Sequence, residues 1–508
     1  MHNKRLLTGL SLLLMLSLLL AGCTFVAQPE ETPAPAEEAA PVPEQPAPAE
    51  EPAPVPAEET APVPTAEPSP EPAPEPTPEP TPGPVQLSSG SFPADAESIT
   101  AVLTAEDVAK LEGFTALKTA DFRGSACQSE LTAWALAHPE VLVRCQVTLP
   151  DGRTLPADTR ELDLSQSPDA GSLLPLVLLP ELKTVELGAC DDAAASPLDW
   201  EALARVEAAR PQTEFHYAFT LFGKPFDLQS TEMDLNHRTM NDEGALVKKV
   251  AACLPELALL DMDFCEVSDE AMAEIRDSLP NTEVVWRVWF GNGKQNGYTA
   301  RTNAVKILAS NPDRAGHLTP DKTDGLKYCT KVRYLDLGHN EQMTDISFVR
   351  YMPELEVAVL AMGGYSDLSP LQDCPNLEYL EIQTSAVTDL RPLTSLKNLK
   401  HLNICYLFGL TDITPLYEMS SLERIWIGCF DPVPQDQIQE LQRRLPNCWV
   451  NWTAENPTEE GWRYVSSDEE GHGVPHPRYA LLREQFEYDN FPACYNYLIN
   501  DPLYAPHG

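Results

Sequence analysis

A short apolar pattern that recurs at a nearly constant spacing is the feature that most constrains the fold of this chain. Five segments carry apolar residues at their first, fourth and sixth positions, and they begin 22 or 23 residues apart. They are Val332-Arg-Tyr-Leu335-Asp-Leu337, Leu355-Glu-Val-Ala358-Val-Leu360, Leu377-Glu-Tyr-Leu380-Glu-Ile382, Leu399-Lys-His-Leu402-Asn-Ile404 and Leu422-Glu-Arg-Ile425-Trp-Ile427. A unit this short cannot bury its apolar face alone, so we expect successive units to stack and share one core.

A second pattern keeps phase with the first. A hydroxyl residue and an Asp follow each of the first four segments, at Thr344-Asp345, Ser366-Asp367, Thr388-Asp389 and Thr411-Asp412. Three copies continue into a Pro-Leu pair at Pro370, Pro392 and Pro415, whereas the first copy has Phe348. Asp and Thr cap helical turns, and Pro is tolerated in a first turn. Each unit is therefore predicted to contain a strand, a corner and a helical or 3-10 return.

These residues resemble the bacterial leucine-rich repeats of the internalin type, with their T-D-I-x-P-L corner, from about Val332 to Asn447. The resemblance implies an α/β repeat solenoid, a leucine-rich-repeat horseshoe with parallel strands and helical or 3-10 returns, and it implies adhesion or recognition as the function. One departure concerns the Asn that the family places on the bend after each strand. Asn340 matches, but Gly363, Ser385 and Leu407 stand at the corresponding positions, so the turns are expected to be less regular.

The N-terminal half repeats with a longer period. Pro211-Gln-Thr-Glu214 and Pro280-Asn-Thr-Glu283 are copies of one motif; a weaker copy begins at Pro139, and a fourth, at Pro446, closes the regular repeats. Strand patterns precede the predicted helices 131–137, 200–209 and 269–279, and in the last of these Ala271, Ile275 and Leu279 share one helix face. Each long unit is predicted to hold about three strands. We therefore expect one extended solenoid from about Ala101 to Trp452, interrupted at 292–327.

The N-terminus predicts export and lipid anchoring. A charged start, Lys4-Arg5, precedes an apolar run from Leu6 to Leu20, which is the pattern of a secretory signal. Leu20-Ala21-Gly22-Cys23 closes it and closely resembles the lipobox of bacterial lipoproteins. That resemblance implies cleavage before Cys23, acylation of Cys23, and a location on the extracytoplasmic face of the bacterial cell membrane, exposed at the cell surface.

The remaining composition divides the chain into segments. Residues 29–84 hold 21 Pro and 13 Glu without Lys or Arg, a composition that favours an extended, disordered stalk; a Pro-rich docking ligand is the alternative. The predicted segments are 1–22 (signal peptide), 23–87 (lipidated Cys and disordered linker), 88–297 (long leucine-rich units), 298–331 (irregular connection), 332–452 (regular repeats) and 453–508 (aromatic-rich cap or tail). A partner-binding extension and a disordered end are the alternatives for the tail.

The charge and the cysteines restrict partners and chemistry. The formal charge of −42 argues against nucleic acid, because phosphate backbones would be repelled. Besides Cys23, eleven Cys are spread from Cys127 to Cys494 without a C-x-x-C pair. We expect buried thiols and not a disulfide framework, because a core of this size does not require covalent cross-links for stability.

A search for catalytic or metal-binding patterns yields only weak candidates. The Gly-rich segment 291–297 lacks the Lys-Ser/Thr ending of a phosphate loop and is interpreted as a hairpin turn. The pair His472 and His476 lacks further metal ligands, and the pairs Asp191-Asp192 and Asp261-x-Asp263 are interpreted as solvated carboxylates rather than Ca²⁺ ligands. We therefore predict no catalytic residue, no metal and no cofactor.

The remaining candidate is the concave face, where side chains between the apolar positions of parallel strands point outward. This row mixes charges with aromatic rings, which suits protein binding; a merely soluble face is the alternative. The candidate binding residues are Arg333, Tyr334, Asp336, Glu356, Glu378, Tyr379, Glu381, Lys400, His401, Glu423, Arg424 and Trp426. The leading hypothesis is a surface lipoprotein that binds a protein or other macromolecule. A cell-envelope scaffold or assembly factor, and a hydrolase with its site in the tail, are the alternatives.

Overall fold

The first strand of the described chain begins at Val85. The computed structural model describes residues 83–291, 298–310, 318–459, 461–468 and 472–488. Strand β1 (Val85–Leu87) pairs antiparallel with β2 (Gly90–Phe92), so three residues assigned to the linker belong to the folded body. The predicted signal peptide, Cys23 and the linker up to residue 82 lie outside the described residues.

Three parallel sheets form the long units. The first contains β3 (Ser98–Thr100), β4 (Thr119–Asp121) and β5 (Leu142–Arg144), and the hairpin β6 (Val147–Thr148) and β7 (Thr154–Leu155) follows it. The second contains β8 (Glu161–Asp163), β9 (Thr184–Cys190) and β10 (Glu214–Leu221), with β11 (Lys224–Asp227) antiparallel to β10. The third contains β12 (Glu232–Asp234), β13 (Leu259–Asp261) and β14 (Glu283–Val285). The prediction of about three strands in each long unit is confirmed.

Antiparallel hairpins interrupt the parallel ladder between units, which the prediction of one extended solenoid did not include. In the second unit β11 pairs along the outer edge of β10. β11 covers the second half of that edge, Ala218 to Leu221, and the third unit begins a new sheet with β12. The third unit ends in the hairpin of β15 (Arg287–Phe290) and β16 (Tyr298–Arg301). These strands flank the Gly-rich segment, whose residues 292–297, the predicted hairpin turn, lie outside the described residues.

The regular repeats form a seven-stranded parallel sheet. Its strands are β17 (Lys306–Leu308), β18 (Tyr334–Asp336), β19 (Val357–Val359), β20 (Tyr379–Glu381), β21 (His401–Asn403), β22 (Arg424–Gly428) and β23 (Trp449–Ala454). Because β17 opens the sheet, the segment 298–331 contains regular structure and is not wholly an irregular connection. The central residues of neighbouring strands align, as Leu335, Ala358, Leu380 and Leu402 do, and form a buried apolar column.

The strands return through helices. The α-helices of the described ranges are α1 (Ala105–Val108), α2 (Gln128–Ala137), α3 (Ala170–Leu173), α4 (Trp200–Ala209), α5 (Ala245–Ala251), α6 (Asp269–Ser278), α7 (Gln435–Arg444) and α8 (Pro477–Phe486). The regular units return through 3-10 helices at Ser347–Tyr351, Ser369–Asp373, Arg391–Ser395 and Thr414–Glu418. The predicted helices 131–137, 200–209 and 269–279 correspond to α2, α4 and α6.

Aspartate side chains close the corners, as the second sequence pattern predicts. Asp345 accepts a hydrogen bond from the Ser347 N–H at 2.7 Å, and Asp367 accepts one from the Ser369 N–H at 2.8 Å. Asp389 and Asp412 each accept the N–H two residues further on at 2.9 Å. Each carboxylate thus satisfies a backbone donor that the short 3-10 turn leaves unpaired.

The bend after each strand is built differently in different units. Asn340 donates to the Leu337 carbonyl at 2.8 Å, as a buried Asn on this bend should. In the next unit, the buried Tyr365 hydroxyl donates to the Leu360 carbonyl at 2.8 Å. A Cβ at Gly363 would lie 2.3 Å from the Tyr365 ring, so the glycine makes room for the substitute donor. A tyrosine therefore replaces the missing Asn in that unit.

One apolar cluster runs through the units from Val85 to Val450, so the separate sheets share a core. A second cluster lies on the other face of the seven-stranded sheet and joins Tyr379 and Trp426 to residues of the C-terminal region. That region contains β24 (Tyr464–Ser467), β25 (Gly473–Pro475) and α8. None of the helices within the described ranges has the length and apolar character needed to cross a bilayer.

Candidate functional site

The concave face of β19–β21 in the seven-stranded sheet is buried, whereas the corresponding face of strands such as β8 and β12 in the long units is exposed. In β8 and β12 the residues alternate, so that an exposed acidic residue lies on each side of a buried Leu162 or Met233. In β19, β20 and β21 all three residues are buried. Alternation is typical of a sheet with one solvated face, and continuous burial is typical of a sheet covered on both faces. Another part of the chain must therefore cover the regular repeats.

The C-terminal segment provides that cover. We call the described residues 462–468 and 472–488 the C-terminal strap; they include β24, β25 and α8. Trp462 is 1% exposed, and its ring centroid lies 5.4 Å from that of Tyr379 and 5.8 Å from that of Trp426. Phe486 packs edge-to-face on Tyr334 at 6.5 Å. The predicted cap is thus a segment that lies across the concave face.

Glu381 is the polar centre of this contact and is 1% exposed. The Trp462 indole N–H donates to it at 2.8 Å, and the Arg463 guanidinium donates at 3.2 Å. The Tyr379 hydroxyl and the Gln383 amide also donate to this carboxylate. Burial alone would raise the pKa of Glu381, but Arg463 and these donors hold it below its ordinary value. The buried carboxylate therefore stays charged and paired with the strap.

Other polar contacts hold the two ends of the strap. Arg424 donates to the carbonyls of Gly461 and Trp462 at 2.7 and 2.9 Å. At the other end the Tyr488 hydroxyl donates to Asp336. Burial raises the pKa of Asp336 to about 6, although this bond and a backbone N–H oppose the shift. Asp336 thus carries a buried charge at neutral pH with only partial compensation.

The twelve predicted binding residues fall into two groups. Asp336, Tyr379, Glu381, His401, Arg424 and Trp426 are buried beneath the strap, and Tyr334 is half-buried at its margin. Arg333, Glu356, Glu378 and Lys400 are half-buried and Glu423 is exposed along the rim where the strands begin. The structure therefore brings the first group together around the strap and leaves the second group accessible.

The accessible rim is a ladder of ion pairs between neighbouring repeats. The Arg333 guanidinium lies 2.6 Å from the Glu356 carboxylate, and the Lys400 ammonium lies 3.1 Å from the Glu378 carboxylate. Both pairs are partly exposed, so they contribute little to stability. They place alternating positive and negative side chains on a surface that a partner can contact.

The weaker sequence candidates have structural roles. Arg287 donates to both oxygens of Asp263 at 2.8 and 2.9 Å, and Arg301 pairs with Asp261. These carboxylates are therefore neutralised by arginine instead of being solvated. Among the described residues, no group of three or more potential ligands is placed to hold a metal ion.

The other candidates also serve the fold. His476 caps α8, and its ring accepts the Arg478 N–H at 3.1 Å. Asp192 accepts the Ala194 N–H at 3.0 Å. Among the described tail aromatics, Trp462 and Phe486 pack on side chains of the sheet; Phe491, Tyr495, Tyr497 and Tyr504 lie outside the described residues.

Eight of the ten described cysteines are buried packing residues, as expected, whereas Cys190 is half-buried and Cys429 is exposed. The Cys253 thiol donates to the Trp200 carbonyl at 3.0 Å and the Cys374 thiol donates to the Val349 carbonyl at 3.2 Å. Burial raises the pKa of Cys374 to about 12, so this thiol stays protonated and unreactive at neutral pH. Cys494 lies outside the described residues.

Sequence reasoning missed the path of the tail, although a signal was present. The outward positions of β19 are Val357 and Val359, and β20 and β22 add Tyr379 and Trp426. Apolar residues at outward positions predict a strand covered on both faces. The same criterion distinguishes these strands from β8 and β12, whose outward residues are acidic and predict a solvated face.

Parallel strands in register, one-turn 3-10 returns and a shared apolar core define a repeat fold of stacked strand-and-return units. No protein-family model matches the chain, and no curated protein matches it. Among solved structures, it is similar to an internalin of Listeria monocytogenes at 17% identity, covering 70% of this chain and 84% of that chain with a TM-score of 0.24. A leucine-rich-repeat protein of Leptospira interrogans is similar at 13% identity, covering 68% of this chain and 92% of that chain with a TM-score of 0.27.

Proposed function

We propose that this chain is a membrane-anchored, surface-exposed leucine-rich-repeat lipoprotein that binds a protein or another macromolecule. The lipobox at Leu20–Cys23 supports the anchor. The Pro-rich residues 29–84 supply a spacer that would hold the repeats away from the membrane. The repeats supply a broad concave face with aromatic and charged side chains, which are the residue types that dominate binding energy in protein interfaces.

One observation carries the proposal: the concave face of the regular repeats already holds a polypeptide. It buries Trp426 and Tyr379 against the ring of Trp462, and it offers the Glu381 carboxylate to two donors of the strap. Aromatic anchors in a desolvated centre with a charged rim are the anatomy of a protein-binding surface. A merely soluble face would not require this arrangement.

The first experiment tests the binding surface. The purified chain is used to capture partners from cell-surface and envelope extracts, and the affinity of each captured partner is measured for three variants. Glu378→Lys and Glu423→Lys reverse charge on the accessible rim, and Glu256→Lys reverses an exposed charge away from that rim. We expect the two rim variants to weaken binding at least ~10-fold, the size of effect typical for a charged contact that a partner uses, and the control to bind as wild type. Equal binding by all three would place the site elsewhere.

The second experiment tests the anchor. Cys23→Ser should move the protein from the membrane fraction to the soluble fraction, because two acyl chains are needed for stable attachment. Protease treatment of intact cells then reports exposure. Digestion of the repeats would agree with a surface-binding protein, and protection would favour the envelope scaffold.

A further inference from the structure

The contact between the strap and the concave face leaves buried polar atoms unpaired. The Trp426 indole N–H, the Gln383 carbonyl oxygen and the His401 Nδ1 have no hydrogen-bond partner among the described residues. These three residues are 0%, 3% and 7% exposed. Buried polar groups are nearly always paired, so each exception calls for an explanation. The strap therefore satisfies the face incompletely.

The strap is also attached differently from a strand of the sheet. Its strands β24 and β25 pair only with each other within the described chain. It reaches the face mainly through side chains, such as Trp462 and Arg463 on Glu381, and Tyr488 on Asp336. No backbone hydrogen-bond ladder joins it to β18–β22 in the described residues. A segment held in this way resembles a docked peptide and can leave without breaking the sheet.

We propose that the C-terminal strap is an intramolecular occupant of a peptide-binding face, and that this face takes from a partner an aromatic side chain followed by a cationic one. The aromatic ring would replace Trp462 between Tyr379 and Trp426, and the cation would replace Arg463 at Glu381. This inference rests on the proposed function, since it names the partner chemistry of the same concave face.

The chemistry of the face selects this class of ligand. Glu381 is buried and charged, so a segment that brings no donor would leave it uncompensated, and an acidic side chain would be repelled. The rings of Tyr379 and Trp426 favour an aromatic neighbour. A partner segment that also offers an acceptor to the Trp426 N–H and a donor to Gln383 would satisfy the face better than the strap does. That difference allows displacement.

The test measures binding of a fluorescent peptide with the sequence of residues 455–488 to the full chain in detergent. In wild type the tethered strap competes at a high effective concentration. In the variant Trp462→Ala/Arg463→Ala the strap is weakened while the face is intact, so the peptide should bind at least ~10-fold more tightly, because the fraction of open face increases. Leu481→Ala, which is 49% exposed on the strap, is the matched control and should bind as wild type.

Two further arms locate the peptide. A peptide with Ala in place of Trp462 and Arg463 should not bind the weakened variant. Adding Glu381→Gln to the weakened variant should abolish binding of the unmodified peptide. If the weakened variant stays folded and binds the peptide no better than wild type, the strap is a permanent part of the fold and the inference is wrong.

Hydrogen exchange on the wild-type chain covers the case in which the weakened variant does not fold. If the strap opens on its own, amides of α8 should exchange at least ~10-fold faster than those of β19–β22, because local openings cost less than global unfolding. Equal protection would overturn the inference. A captured partner that binds wild type and the weakened variant equally would overturn the inference but leave the proposed function standing. Peptide binding without any captured partner would overturn the proposed function but leave the strap as an occupant of the concave face.

Discussion

Replacing Asp336 by Asn should stabilise the closed strap at neutral pH. Asp336 is 4% exposed, accepts from the Tyr488 hydroxyl, and has Arg463 and Glu381 as its charged neighbours. Burial raises its pKa from 3.8 to about 6. Because the folded state holds the proton more tightly than the unfolded state, the stabilising contribution is complete below about pH 4 and is lost as pH rises through about 6.

The size of the effect follows from the shift. A pKa that folding raises by about two units lowers the free energy of unfolding by about 3 kcal/mol at pH 7.5 and by about 1.5 kcal/mol at pH 5. Asn is neutral at both pH values; its carbonyl can accept the Gly338 N–H as Asp336 does, and its amide can then donate to the Tyr488 hydroxyl oxygen. We therefore expect the variant to be more stable than wild type by about 1–2 kcal/mol at pH 7.5, with a smaller gain at pH 5.

Urea unfolding followed by tryptophan fluorescence measures this, because Trp426 and Trp462 lie in the contact. The free energy of unfolding of the variant is compared with that of wild type at each pH, because other groups also titrate. Burial lowers the pKa of His401 to about 3, so this residue makes folding less favourable in both proteins as pH falls below the pKa of an unfolded His. Asp158→Asn, on an exposed residue, is the control and should change neither curve. A gain that is the same at both pH values, or a loss at pH 7.5, would refute the reasoning.

Three further predictions concern the repeats. Tyr365→Phe removes the donor to the Leu360 carbonyl and should lower the free energy of unfolding by about 1–3 kcal/mol; an unchanged urea midpoint would show that the hydroxyl does not replace the missing Asn. Arg333→Ala should change the same quantity by less than ~1 kcal/mol, because its pair with Glu356 has side chains 43% and 30% exposed, and a larger loss would contradict this estimate. Cys374, whose pKa is raised to about 12, should resist maleimide in the native chain at pH 7 and react in urea, as mass spectrometry would show; rapid native labelling would argue against its burial.

The strands and returns of the regular repeats could be read from the sequence because their signals are local. Leu380 and Leu402 recur at the repeat period, and Asp367 accepts the N–H of a residue two positions away. A contact made within one repeat needs no knowledge of the rest of the fold. The same holds for α6, whose apolar residues recur on one helix face.

The interruptions between units could not be read in this way. β11 occupies the edge of β10, and the sequence alone does not say whether the next unit adds to that edge or starts a new sheet. Tyr365 at the bend is similar, because it replaces an Asn from a different position in the repeat. In both cases the local structure depends on which backbone groups remain unpaired after the rest of the unit has folded.

The sequence by itself determined a stacked repeat architecture and the apolar outward positions of β19, β20 and β22. Only the tertiary structure decided what covers those positions. Trp462 meets Glu381 across 81 residues of chain, and Tyr488 meets Asp336 across 152. No periodic pattern encodes such contacts, because they depend on the complementarity of two surfaces that exist only after the repeats have stacked.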